Sequence, residues 1–167
     1  NNTDEAIMNS VQGKGLLEYQ QLMTKCFSEY YRVLKPGRWI TIEFHNSKNS
    51  VWNAIQEGLI RAGFIVADIR TLDKMHNSFK QVVSSVTIKQ DLIISAYKPK
   101  ESFVKRIMQN AGDESTAWDF VRQHLSNLPV IVKKEDQIEV LSERQAFLLW
   151  DRMVAYHIIN GIPVPLD

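Results

Sequence analysis

One stretch, residues 30–46, constrains this chain more than any other: Tyr-Tyr-Arg-Val-Leu-Lys-Pro-Gly-Arg-Trp-Ile-Thr-Ile-Glu-Phe-His-Asn. Pro36 disfavours helical geometry at Lys35 and removes an amide donor, while Gly37 accepts positive φ. A helix arriving through Tyr30 and Leu34 must therefore stop and reverse. Residues 39–44 then read as a buried β-strand, with His45 and Asn46 as polar groups at its carboxyl end. Helix, Pro-Gly turn and strand make one repeat of an α/β sheet. In open sheets of that kind ligands sit outside the carboxyl ends of the strands, which makes His45 and Asn46 candidate site residues.

The helix before the turn spans residues 16–34. Tyr19, Leu22, Met23, Cys26, Phe27, Tyr30, Tyr31 and Leu34 fall three and four apart, the spacing of one broad buried stripe. Cys26, the only cysteine, lies on that stripe and reads as a buried structural thiol. A single cysteine excludes intrachain disulfides and cysteine-rich metal sites. Gly13-Lys14-Gly15 lacks the spacing of a phosphate-binding loop and reads as a flexible lead-in to the helix.

After the first strand, residues 46–50 (Asn-Ser-Lys-Asn-Ser) supply N-caps for a second helix over 51–62. Val51, Trp52, Ile55 and Leu59 face inward, and Gly63 takes the positive-φ position that ends the helix. A second strand follows at 64–72. Strand, helix and strand with tight connections form a right-handed βαβ unit, so the two strands are expected to run parallel. Residues 73–89 form a polar loop, and a third strand over 90–98 is stopped by Pro99. No helix fits between the second and third strands, so they are expected to be antiparallel neighbours.

Residues 100–167 read as a mostly helical appendage to the α/β part at 1–99. Helices are expected over 101–109, over 115–125 with Trp118, Val121 and Leu125 inward, and over 143–159. Ser142 and Gln145 form a capping box for the last helix, whose apolar face is Ala146, Leu149, Trp150, Met153, Val154 and His157. Residues 129–133 and 137–141 pair as a hairpin. Helix, helix, hairpin and helix together resemble a winged-helix module.

Hydrophobic residues make up 44% and charged residues 23% of the chain, a globular balance. No apolar run approaches the roughly 18 residues of a membrane span, and the first residues have no signal-peptide pattern; a cytoplasmic location is expected. Without an initiating Met, the chain reads as a piece of a longer protein. Residues 1–100 hold 13 Lys and Arg against 9 Asp and Glu, and residues 101–167 hold 7 against 10. A polyanion would meet the first part, and the acidic appendage reads as a packing or recognition scaffold. The spacing of His45, His76, His124 and His157 matches no metal site.

Two parallel strands closed by an antiparallel third resemble the end of the class I S-adenosylmethionine-dependent methyltransferase fold. There an antiparallel strand seven is inserted between strands five and six. Leu34-Lys35-Pro36-Gly37 precedes strand five (39–44), 64–72 is strand six and 90–98 is strand seven. Arg32 to Trp39, Phe44-His45-Asn46, Ala62-Gly63-Phe64 and Lys89 to Pro99 are similar to the carboxyl-terminal half of bacterial DNA methyltransferases that methylate amines, adenine-specific or N4-cytosine. The segment from Leu149 to His157 and on to Leu166 resembles that group's helical extension. The likeness covers about residues 5–167. It implies an α/β fold with a partial Rossmann-like methyltransferase sheet (strands 5, 6 and antiparallel 7), methyl transfer to a flipped-out base of DNA, and S-adenosylmethionine as cofactor. Restriction–modification is the setting it implies.

Two family features are missing. No Gly-x-Gly follows a strand, and no two prolines are adjacent, so both the cofactor loop and the catalytic Asp/Asn-Pro-Pro-Tyr/Phe motif are absent. The resemblance therefore implies that the cofactor is held mostly outside this sequence, with no catalytic residue within it and the target pocket as its contribution. Phe79, with Lys74, Lys80 and Gln81, stands in the loop that the family sets beside the flipped base, and His45 and Asn46 face the same crevice. Each has a plainer reading: Phe79 pins its loop, the lysines are solvated, and His45 and Asn46 cap the next helix. A half-sheet also leaves an edge and a face to be covered, so self-association or marginal stability is expected. Alternatives are a non-catalytic module that binds nucleic acid or protein, and a methyltransferase for RNA or a small molecule.

Overall fold

A computed structural model describes residues 4–45, 48–72, 91–134, 137–139 and 141–165. After a 3-10 turn at Ser10–Gln12 come α1 (Leu16–Val33), β1 (Trp39–His45), α2 (Asn49–Arg61), β2 (Ile65–Leu72) and β3 (Asp91–Tyr97). The chain continues through α3 (Glu101–Gln109), α4 (Ser115–Asn127), β4 (Val132–Lys134), β5 (Gln137–Glu139), a 3-10 turn (Ser142–Arg144) and α5 (Ala146–Ile159). Asn46, Lys74, Phe79, Lys80 and Gln81 lie outside the described residues. No described helix is long and apolar enough to cross a membrane.

The larger sheet has the order β1-β3-β2, with β3 antiparallel to both neighbours. β1 and β2 run parallel, as the βαβ unit requires, but the last strand separates them. α1 stops at Leu34, and Gly37 has φ 75, the reversal that Lys35-Pro36-Gly37 dictates. The stop is reinforced from β3: Lys98 Nζ donates to the carbonyls of Tyr31 (2.7 Å) and Leu34 (2.9 Å) and sits 4.4 Å from the Tyr31 ring centroid. A cation on the last carbonyls of a helix satisfies orphan acceptors and opposes the helix dipole. Gly63 has φ 104, and a Cβ there would lie 3.0 Å from the Tyr31 ring, so both backbone and space demand glycine.

Alternation along the strands sends side chains to two cores. On one face Phe27 of α1, with Ile55 and Leu59 of α2, packs on Val66, Leu92, Ile94 and Ala96. On the other, Phe103, Ile107, Phe120, Met153 and Tyr156 from α3, α4 and α5 pack on Ile65, Ala67 and Tyr97. The sheet is thus layered between helices, and the helices after residue 100 share a core with β2 and β3.

Several expectations are corrected. β1 is not buried: Trp39, Thr41, Glu43 and His45 are exposed and Ile40, Ile42 and Phe44 only half-buried. It pairs on one side only among the described residues, and the core of the second helical layer includes no residue of β1. Cys26 and Tyr30 are exposed; α1 fully buries Phe27 alone, because it meets a single helix, α2, beside the sheet. In α4 the buried residues are Thr116, Asp119, Phe120 and His124, while Trp118 is 55% exposed. In α5 Leu149, Met153, Tyr156 and His157 are buried and Trp150 is 50% exposed. The Ser142 capping box does not form, because Ser142–Arg144 coils as a separate 3-10 turn and Gln145 is extended. α2 likewise starts after Lys48 with no side-chain cap.

Candidate carboxyl-edge site

β1 and β2 end, and β3 begins, in a single cross-strand row: His45 opposite Asp91, and Asp91 opposite Leu72. Behind it lie Glu43–Ile93–Arg70 and Thr41–Ser95–Asp68. The last row is in register because a bulge between Val66 and Asp68 resets the pairing. Residues two apart on a strand, and those opposite them, share a face. The side opposite Leu92, Ile94 and Ala96 therefore carries Thr41, Glu43, His45, Ile93, Ser95, Asp68 and Arg70. The second helical layer covers the other end of this face, at Ile65, Ala67 and Tyr97, and leaves Thr41, Glu43 and His45 exposed and Ile93 and Ser95 half-buried.

Of the residues singled out in the sequence, the described structure places only His45, at the end of β1. Its Nδ1 is hydrogen-bonded to Asp91 Oδ1 and does not cap α2. The His45 side chain is 63% exposed and that of Asp91 only 2%, so the carboxylate is enclosed while the ring reaches the surface. Sequence reasoning passed over Asp91. Its signal was an acid opening a strand otherwise made of Leu92, Ile93, Ile94, Ser95, Ala96 and Tyr97. Arg70 is paired with Asp68 at 2.5 Å. With Glu43, Asp68 and Asp91 against Arg70, the described edge is acidic and suits hydrogen-bond donors better than phosphates.

The other described histidines are buried in the helical layer. His124 Nδ1 lies 3.0 Å from the Tyr97 hydroxyl, and His157 contacts Thr116 Oγ1 (3.0 Å) and the Met153 carbonyl (2.8 Å). Burial, with a smaller contribution from Arg152, pushes His124 down to about 4, and burial pushes Tyr97 up. Among the described residues no group of three His, Cys, Asp or Glu could hold a metal.

The only Gly-x-Gly in the sequence, Gly13-Lys14-Gly15, belongs to a tight turn closed by the Asn9–Lys14 bridge. Lys14 is buried and donates to the Glu5 carbonyl (2.8 Å), and the Gly15 amide donates to Glu18 (2.8 Å). The turn's groups are committed to one another, and among the described residues no strand leads into them. A groove of about 270 Å³ lies between α4 and α5, lined by Ala117, Trp118, Val121, Ala146, Leu149, Trp150 and Met153. It is apolar and has no charged group to orient a sulfonium or an amino acid.

A family model described as DNA methylase, of the N6/N4 type, matches residues 8–145. No curated protein and no solved structure matches the chain.

Proposed function

The chain belongs to the DNA methylase family of the N6/N4 type, and on that premise we propose that it forms the target-facing part of an enzyme that methylates an exocyclic amine of adenine or cytosine in DNA. The supporting observation is the shared row His45–Asp91–Leu72, where two parallel strands end and the antiparallel strand between them begins. In this reading β1, β2 and β3 are strands five, six and seven of a methyltransferase sheet, and the row borders the crevice where ligands of α/β sheets bind.

S-adenosylmethionine supplies the methyl group in this chemistry. The cofactor loop and the Pro-Pro motif, absent from this sequence, are assigned to polypeptide outside it, so the chain alone is expected to be inactive. Its own task is to receive a base turned out of the duplex. Phe79 stacks on that base, Lys74 and Lys80 meet backbone phosphates, and Gln81, Asn46 and His45 supply hydrogen bonds. The open edge of β1 is where the remaining sheet, or a second copy, pairs. A cytoplasmic setting follows from the DNA substrate.

The test uses the chain itself: anisotropy of a labelled DNA duplex at rising salt, and calorimetry with S-adenosylmethionine. Binding that weakens with salt, with no heat from the cofactor, is expected. Tight cofactor binding would overturn the proposed division of labour. Absence of DNA binding would overturn the target-facing role.

A further inference from the structure

The end of β1 holds a histidine set on a buried carboxylate. Asp91 opens the central strand directly opposite His45 and is almost wholly enclosed, while the His45 side chain is 63% exposed. A ligand reaching this edge meets the imidazole, not the acid. An ionised carboxylate only accepts hydrogen bonds, so in the neutral imidazole the proton belongs on Nδ1, which faces Asp91, and Nε2 carries the lone pair. Among the described residues Asp91 is the sole hydrogen-bond partner of His45, and Nε2 is left for a ligand.

We infer that Asp91 is a positioning residue that holds His45 in the Nδ1–H tautomer, so that Nε2 accepts a hydrogen bond from an amino group of a nucleobase in the bound strand. This rests on the target-facing reading above and adds the atom and its polarity. A phosphate would need a donor at that position, and neutral Nε2 has none. Glu43, two residues back on the same face, adds negative charge, and Arg70 in its row is neutralised by its ion pair with Asp68, so the edge favours a partly positive N–H over phosphate. Thymine offers a carbonyl where adenine and cytosine offer an amine, so an acceptor here discriminates among bases.

The first readout is the wild-type chain labelled with nitrogen-15, with long-range proton–nitrogen correlation of its imidazoles above the histidine titration range. His45 is expected with a protonated Nδ1 and a bare Nε2; a predominantly Nε2–H ring would overturn the inference without any variant. The second compares binding of oligonucleotides carrying adenine or cytosine with the same oligonucleotides carrying purine or 2-pyrimidinone, which lack only the amine. Wild type should prefer the amine by about three- to tenfold, the scale of one net hydrogen bond. His45→Ala should erase the preference, and Asp91→Asn should shrink it while mixing the tautomers. Equal binding of both sets by wild type would overturn the inference and leave the target-facing reading standing. Binding of neither would overturn both.

Discussion

Mild acid should destabilise this fold through His124. It has no exposed surface, stacks on Phe120 at 5.6 Å between centroids, and meets the Tyr97 hydroxyl at 3.0 Å. Its Nε2 has no partner among the described residues. Burial, aided by the Arg152 charge, lowers its pKa from 6.5 to about 4. Between those values the unfolded chain binds a proton that the folded chain refuses, so stability rises with pH across the window. It is fully present above about 6.5 and lost as pH falls towards about 4. At about 1.4 kcal/mol per pH unit the loss amounts to about 3 kcal/mol, against a total of roughly 5–15 kcal/mol for an ordinary domain. Burial pushes the Asp119 carboxyl up, but Arg122 and Arg106 hold it below its ordinary value, as Arg61 and Gln20 do for Glu57. Both titrate lower, so the upper part of the window reports His124. Urea unfolding followed by tryptophan fluorescence at several pH values measures the slope, and His124→Gln should flatten it. A wild-type stability level through the window, or an NMR titration of His124 near its ordinary value, would refute the reasoning.

Three further outcomes follow from the packing. Gly63→Ala places a Cβ against the Tyr31 ring on a backbone at φ 104 and should cost about 2 kcal/mol or more, read as a lowered urea midpoint; an unchanged midpoint would mean that the α2–β2 turn relaxes freely. Lys98→Met removes two charge-assisted hydrogen bonds from the end of α1 and should cost about 2 kcal/mol, with faster amide exchange in the last turn of α1 as its local signature. Cys26 is exposed, so a maleimide should label the native chain nearly as fast as the unfolded one; strong protection would restore the buried reading of that thiol.

Where local chemistry dictates the backbone, sequence reading went far. Pro36 and Gly37 end α1, Gly63 ends α2, and Pro99 follows the last strand of the main sheet. Periodicity found the helices, and in α2 the inward face of Val51, Ile55 and Leu59 as well, but it misjudged which residues α1, α4 and α5 bury. A three-and-four stripe states how wide an apolar face is, not how much of it a neighbour covers, and α1 packs against one helix, α2, beside the sheet. α5 is harder still. Apart from Asp151, Arg152 and His157 it is apolar or aromatic on every side, so its pattern carries little phase, and Trp150, expected inward, is exposed. Cross-strand partners at the candidate edge were illegible for another reason. That Asp91 meets His45 depends on β3 lying between β1 and β2 and on the register of that pairing, which residues far apart in sequence set only in three dimensions.

The position of β3 also imposes an order of events on a growing chain. Among the described residues β1 and β2 are made first and have no ladder with each other; every described strand pairing of this sheet involves β3, made last. During synthesis α1 and α2 can pair early, through contacts close in sequence, while β1 and β2 wait for the strand that joins them. Sheet formation, the setting of His45 on Asp91 and the locking of α1 by Lys98 then arrive together, once residues 91–98 emerge. A nascent chain halted before Asp91 carries β1 and β2 without the strand that joins them.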